Sequence, residues 1–311
     1  MSWINAFELM CYIIVAIMLI DLIGKKDYDA LFTFGAAALV GFFMELAAVA
    51  VTDIYYYNGS FWLSLGTVPK QFPLFGGFMW GGLTVYGIRL AKKLHFGKWM
   101  TALAAGFFIV TMDILLDVVA IRLDGGFWVW VGNPINTEIT QHTFLSVIWV
   151  NFLGYLFETP AVVLLTQLKC QKVKPTEWKK QTVGMFLIAI GAIIVTAVGS
   201  LASLGLNAVT DDWFACIAFS LLWLTVATRI VRQAMKIRLR PMHPKKWDIP
   251  MLIFWLAMYG YCLAALGYLG LISVLPWFFI VGILFTAATA YTAVSCKSID
   301  SEGGASQCAK S

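Results

Sequence analysis

Apolar residues occur along the chain in nine stretches of about 20, separated by short charged or aromatic segments. A stretch of that length forms a helix long enough to cross the hydrocarbon core of a bilayer. The pattern predicts one transmembrane helical domain over residues 1–295 and a flexible polar tail over 296–311. The predicted spans are approximately 3–23, 29–50, 71–91, 99–121, 143–168, 182–205, 213–231, 250–271 and 275–295. A single re-entrant hairpin in place of the last two spans, giving eight helices, is the alternative.

The basic residues support this map of the spans. Of the 22 Lys and Arg, 20 fall in the odd-numbered connecting loops or in the tail, and the even-numbered loops hold only Lys70 and Arg122. Because Lys and Arg stay on the cytoplasmic side, the N-terminus is predicted outside and the C-terminus in the cytoplasm. We expect an all-α, multi-pass protein of the plasma (cytoplasmic) membrane of a prokaryote, surrounded by the lipid bilayer.

Composition excludes several classes of protein. The 311 residues are 60% hydrophobic and 13% charged, whereas soluble domains are about 25% charged. The chain has too few charges to cover a soluble enzyme, a nucleic-acid-binding domain or a disordered protein. The net charge of +5 follows from the topology, so no nucleic-acid partner is expected. Cys and His lack the spacing of metal ligands, and no nucleotide or diphosphate motif is present, so we expect no metal and no cofactor.

Carboxyl groups inside the predicted spans are the main candidates for chemistry, because a carboxyl group in a bilayer is costly and usually functional. Four acidic residues lie well inside spans: Glu45, Asp113, Asp117 and Glu158. Asp113 and Asp117 share a helix face. Two close carboxyl groups in a low dielectric cannot both ionise cheaply, so one should hold a proton beside a carboxylate. The pair suits proton donation to an apolar substrate, or a proton relay. The alternative is a structural polar network between spans two, four and five.

The predicted outer loops are unusually aromatic. The aromatic residues are Tyr55, Tyr56, Tyr57, Phe61 and Trp62 in the first outer loop, and Phe127, Trp128 and Trp130 in the second. One interpretation is the aromatic belt that anchors a membrane protein at the interface. The other is a lid over a cavity that opens near the outer leaflet.

Two blocks between residues 41 and 165 resemble the signature segments of the CruF-type carotenoid hydratases, a family of carotenoid-biosynthesis membrane proteins. The first block contains Glu45-Leu46, Tyr55-Tyr56-Tyr57, Leu65-Gly66-Thr67-Val68-Pro69, Pro73-Leu74 and Met79-Trp80. The second contains Asp113 to Ala120, Gly126-Phe127-Trp128-Val129-Trp130 and Trp149 to Tyr155. Tyr155 stands where the family has Trp, and residues 133–146 form an insertion.

The resemblance implies a divergent family member that adds water to the terminal double bond of an acyclic carotenoid without a cofactor. It also implies that an apolar isoprenoid and water are the ligands. The candidate catalytic residues are then Asp113 and Asp117 as the acid pair, Glu45 as cation stabiliser or water base, and Asn151 to orient the water. The candidate substrate-binding residues are Tyr55, Tyr57, Trp80, Trp128, Trp130 and Glu158.

Three other functions fit the same residues. A proton-initiated isoprenoid or terpenoid cyclase would use the same acid and lose a proton instead of adding water. A proton-coupled transporter of lipids or small molecules would use the carboxyl groups as a relay, along a polar path through the membrane. A non-catalytic subunit of a larger complex would need no cavity. An apolar groove closed on the cytoplasmic side would favour the enzyme.

Overall fold

The computed structural model describes residues 1–169 and 173–297. Within these ranges the architecture is all-α, with short strands in the connecting segments. The helices are α1 (Trp3–Gly24), α2 (Tyr28–Val51), α3 (Leu74–Lys93), α4 (Lys98–Ala120), α5 (Trp149–Leu168), α6 (Trp178–Thr210), α7 (Trp213–Lys236), α8 (Ile249–Tyr268), α9 (Leu271–Val274) and α10 (Pro276–Ala293). The strands are β1 (Tyr55–Tyr57), β2 (Ser64–Thr67), β3 (Lys70–Pro73), β4 (Trp128–Trp130), β5 (Thr143–Phe144), β6 (Val147–Ile148), β7 (Arg240–Pro241) and β8 (Ser295–Cys296).

The predicted polytopic helical fold is confirmed. Among the described residues, eight helices are long and apolar enough to cross a membrane, namely α1, α2, α4, α5, α6, α7, α8 and α10. Helix α3 is the ninth long helix and is less apolar than these eight. It has 14 buried residues out of 20, because neighbouring helices enclose it. A helix that faces protein can carry more glycine and polar residues than one that faces lipid.

Two predicted spans start too early. The span predicted from 143 begins as a hairpin in which β5 pairs with β6, and α5 starts only at Trp149. Leu145 and Ser146 both have positive φ, 50° and 74°, which is the conformation of a tight two-residue hairpin turn. The span predicted from 71 likewise begins with β3, which pairs with β2. Both predicted spans begin too early because apolar strand residues precede each helix, and a short apolar run does not distinguish a strand from a helix.

The C-terminal end of the bundle contains two separate helices. Helices α8 and α10 have 20 and 18 residues, or roughly 30 and 27 Å of length. Each is long enough to cross the membrane, so the re-entrant hairpin is the weaker alternative. The first residue of the predicted tail, Cys296, belongs to β8, which pairs with β7. The tail from residue 298 onward lies outside the described residues.

Helix α4 forms the centre of the bundle, since 94% of the residues in its most apolar segment are buried. It packs against α3, α5, α7, α8 and α10. Helices α6 and α7 lie at the periphery, since only 17% of the residues in the most apolar segment of each are buried. Helix α6 is the longest, with 33 residues. A polar side chain on α4 is therefore enclosed by protein, whereas the outer faces of α6 and α7 remain for lipid.

Candidate functional site

A cavity of about 700 Å³, counted out to its mouth, lies between α2, α3, α4 and α5 and beneath the first two outer loops. Nine of the ten predicted site residues line it: Glu45, Tyr55, Tyr57, Trp80, Asp113, Asp117, Trp128, Trp130 and Asn151. Most of the remaining wall is apolar and includes Phe72, Phe75 and Met79. The polar groups therefore face a largely hydrocarbon-like space.

Asp113 and Asp117 lie on the cavity side of α4, with 3% and 2% of their surface exposed. Their spacing of four residues places both carboxyl groups on one face, and the two groups lie side by side. Asn151 of α5 donates its side-chain amide to Asp117 Oδ2 over 2.5 Å. Asp113 Oδ2 is buried without a hydrogen-bond partner among the described residues. One carboxyl group of the pair is thus anchored, and the other keeps an oxygen atom unpaired.

Glu45 reaches the cavity from α2 and is held by two phenols of β1. Tyr55 and Tyr57 both donate their hydroxyl groups to Glu45 Oε2, and the Tyr57 bond is 2.9 Å. Burial raises the pKa of both tyrosines well above the ordinary range, and the nearby charge of Glu45 raises it further. Both phenols therefore remain hydrogen-bond donors at physiological pH. Glu45 is the third carboxyl group at the cavity, on the side opposite α4.

Two paired strands from the first two predicted outer loops cover one end of the cavity. Strand β1 pairs antiparallel with β4, so that Tyr55 faces Trp130 and Tyr57 faces Trp128. Side chains alternate between the two faces of a strand, so these four rings share the face toward the cavity. Tyr56 points the other way and is 40% exposed. The aromatic loop residues of this strand pair thus line a cavity, as the lid interpretation requires.

Tyr155 lines the cavity although its sequence position did not single it out as a site residue. It stacks on Trp80 with ring centroids 4.9 Å apart and an interplanar angle of 27°. It also lies beside Asp113. The sequence did indicate this position, because Tyr155 lies four residues after Asn151 and residues four apart on α5 share a face.

Glu158 is the one predicted site residue that does not line the cavity. It lies about one helical turn beyond Tyr155 on α5, is 7% exposed, and has Oε1 buried without a partner among the described residues. It remains close enough to Glu45 and Tyr55 to interact electrostatically. Glu158 therefore does not form part of the cavity wall, where the expected contact with a bound substrate would be made.

Glu8 of α1 is a carboxyl group that the sequence analysis did not single out, and it is fully buried. Its two oxygen atoms accept the backbone N–H groups of Trp62 at 2.7 Å and Leu63 at 3.0 Å. The hydroxyl group of Tyr12 adds a bond of 3.2 Å. Glu8 therefore anchors the first outer loop, which also carries Tyr55. The signal was available, since Glu8 falls inside the first predicted span.

The second half of the chain contributes little to the cavity wall. Met258 of α8 lines the cavity and is 1% exposed. The other contributions come from the segments that carry the family-like motifs, and from Phe7 of α1.

Comparison of the chain with family models, with curated protein sequences and with solved structures gave no match.

Proposed function

We propose that the chain is an integral-membrane hydratase that adds water to a terminal double bond of a carotenoid or another isoprenoid, without a cofactor. We place it in the plasma membrane of a prokaryote. The observation that carries the proposal is the convergence of the Asp113–Asp117 pair, Glu45 and an aromatic wall on one apolar cavity inside the helix bundle. An apolar substrate needs such a space, and an alkene needs a strong, positioned proton donor.

The first step is proton transfer from the aspartate pair to the alkene. The π bond breaks, a C–H bond forms at the less substituted carbon, and a tertiary cation remains at the other carbon. The side-by-side arrangement of the two carboxyl groups supports this step, because such a pair shares one proton. The remaining carboxylate stabilises the cation. The faces of Trp80, Trp128 and Trp130 add cation–π attraction.

The second step is the attack of water on the cation. A C–O bond forms, and Glu45 accepts the proton that the water releases. Asn151 orients the water, since its amide already donates to Asp117 and its carbonyl oxygen is available as an acceptor. The proton then returns from Glu45 to the aspartate pair. Alkene and water are consumed, a tertiary alcohol forms, and the net proton balance is zero.

Three observations favour this function over the alternatives. Asn151 puts a polar group beside the acid pair, where a cyclase would keep the cation dry. A transporter needs a polar path through the bundle, but among the described residues the cavity shares no lining residue with the large cleft near the opposite helix ends. The cavity itself argues against a purely structural subunit.

The test is expression in a lycopene-producing bacterial host, followed by mass analysis of the pigments. Hydration adds the mass of one water for each modified end, whereas cyclisation leaves the mass unchanged and alters the retention time. Asp113→Asn and Asp117→Asn should each abolish the product, and Asp53→Asn should not, because the Asp53 side chain is 91% exposed. All variants are checked for monodispersity in detergent. Retained product in both cavity variants refutes the assignment of the acid pair, and an unmodified pigment with the wild type refutes hydration of an acyclic carotenoid.

A further inference from the structure

A second cavity, here called the inner cleft, lies where the start of α2 meets the ends of α3 and α5. Its volume, counted out to its mouth, is about 900 Å³. Its charged lining residues are Asp27, Asp29, Arg89, Lys92 and Lys169. On the predicted topology all three helix ends face the cytoplasm. The inner cleft therefore holds three basic and two acidic side chains, and on the predicted topology it lies at the level of the lipid headgroups.

Both acidic residues of the inner cleft already have partners. Asp27 accepts Arg89 Nη2 at 3.0 Å and the backbone N–H of Ala30 at 3.1 Å. Arg89 uses its other amino group on Asp248 at 2.7 Å. Asp29 Oδ1 accepts the backbone N–H of Val173 at 2.8 Å. Neither acid neutralises the remaining basic groups by direct contact.

The side chains of Lys92, Lys169 and Gln167 have no anionic partner among the described residues. Lys92 is exposed and Lys169 is half-buried, and neither forms an ion pair. The ammonium group of Lys169 lies 4.0 Å from the ring centroid of Phe32, near Asp29 but without a direct contact. Burial lowers the pKa of Lys169, and Asp29 opposes that shift. Gln167 Nε2 is buried without an acceptor in the part of the chain that the structure describes.

We propose that the inner cleft binds a phosphate-bearing anion through Lys92, Lys169 and Gln167. Two lysines and an amide supply N–H donors to phosphate oxygen atoms. Apolar lining residues such as Phe32, Val85 and Ile88 suit the glycerol and first acyl carbons of a lipid. Basic clefts between helices on the cytoplasmic side bind anionic headgroups in this way. None of these residues lines the catalytic cavity, so the proposal is independent of the hydratase function.

The experiment measures the thermal unfolding of the purified full-length protein in detergent. The additions are phosphatidylglycerol, phosphatidylcholine and inorganic phosphate, each titrated separately. A ligand that binds the folded state raises Tm with its concentration. We expect phosphatidylglycerol to raise Tm more than phosphatidylcholine. The double variant Lys92→Gln/Lys169→Gln should weaken the apparent affinity roughly 25-fold, since each surface lysine contributes about fivefold. The matched control is Lys98→Gln, an exposed lysine at the same predicted side but outside the inner cleft.

Each outcome decides the proposal. A phosphatidylglycerol shift that is lost in the double variant and kept in Lys98→Gln supports the site with lipid as its source. An equal, lysine-dependent shift with inorganic phosphate supports the site with a soluble anion as its source. The proposal is overturned if no addition shifts the wild type, or if the double variant keeps the full shift.

Discussion

Replacement of Glu8 should loosen the first outer loop and, through it, the lid over the cavity. Its two carboxyl oxygen atoms accept separate backbone N–H groups, those of Trp62 and Leu63. In Glu8→Gln one oxygen becomes an NH₂ group, which cannot accept. One N–H group then loses its partner and faces a donor. In Glu8→Ala both N–H groups lose their partner.

The expected magnitudes follow from these two bonds. A hydrogen bond to a charged group contributes about 1.5–3 kcal/mol, and Glu8 accepts two such bonds from the loop backbone. We therefore expect Glu8→Gln to lower the free energy of unfolding by about 2–3 kcal/mol and Glu8→Ala by about 4–6 kcal/mol. For the first variant this corresponds to a fall in Tm on the order of 5 °C.

Thermal unfolding in detergent measures the global effect, and limited proteolysis within residues 52–73 measures the local one. Glu138→Gln is the matched control, because Glu138 is an exposed residue of the second outer loop. The cleavage rate in the first loop should rise for both Glu8 variants and stay unchanged for the control. If both Glu8 variants unfold within about 0.5 kcal/mol of the wild type, the carboxyl group does not anchor the loop.

Two further predictions concern the cavity wall. Gly41→Ala would place a methyl group 2.3–2.6 Å from the Trp80 side chain, so we expect about 1–3 kcal/mol of destabilisation and reduced product formation in the pigment assay. The control is Gly154→Ala, whose added methyl group meets no described atom within 4 Å. Equal activity of the two variants would contradict the role of the Trp80 ring. Tyr57→Phe removes the 2.9 Å bond to the third carboxyl group and should lower kcat/KM by roughly 10- to 100-fold. Tyr56→Phe, on the outward face of the same strand, should have no effect, and parity between these two variants would argue against the phenol network.

The sequence predicts those parts of the structure that the bilayer constrains strongly. A carboxyl group such as Asp113 is costly in hydrocarbon, so its presence in an apolar span already indicates a buried polar site. The spacing to Asp117 then predicts a shared helix face. The distribution of Lys and Arg predicts which helix ends face the cytoplasm.

Other features depend on contacts between distant segments, and no local pattern predicts them. The pairing of Tyr57 with Trp128 forms only because the bundle brings the two outer loops together. The position of Tyr155 against Trp80 depends on how α5 packs beside α3. The position of Glu8 inside the first predicted span indicates a buried carboxyl group, but it does not reveal the backbone groups that this carboxyl group binds. Its role becomes visible only when the backbone of Leu63 is in place.

Helix α6 is longer than the membrane that it crosses. Its 33 residues extend roughly 50 Å, against a hydrocarbon thickness of about 30 Å. Even at a tilt of about 40°, the upper end of the usual range, the helix extends roughly 8 Å beyond the hydrocarbon core along the membrane normal. The first turn carries the exposed side chains of Trp178, Lys179 and Lys180, which suit the headgroup layer. The hydrophobic mismatch is therefore relieved at this end of α6, and a thinner bilayer should expose more of its initial turns to water.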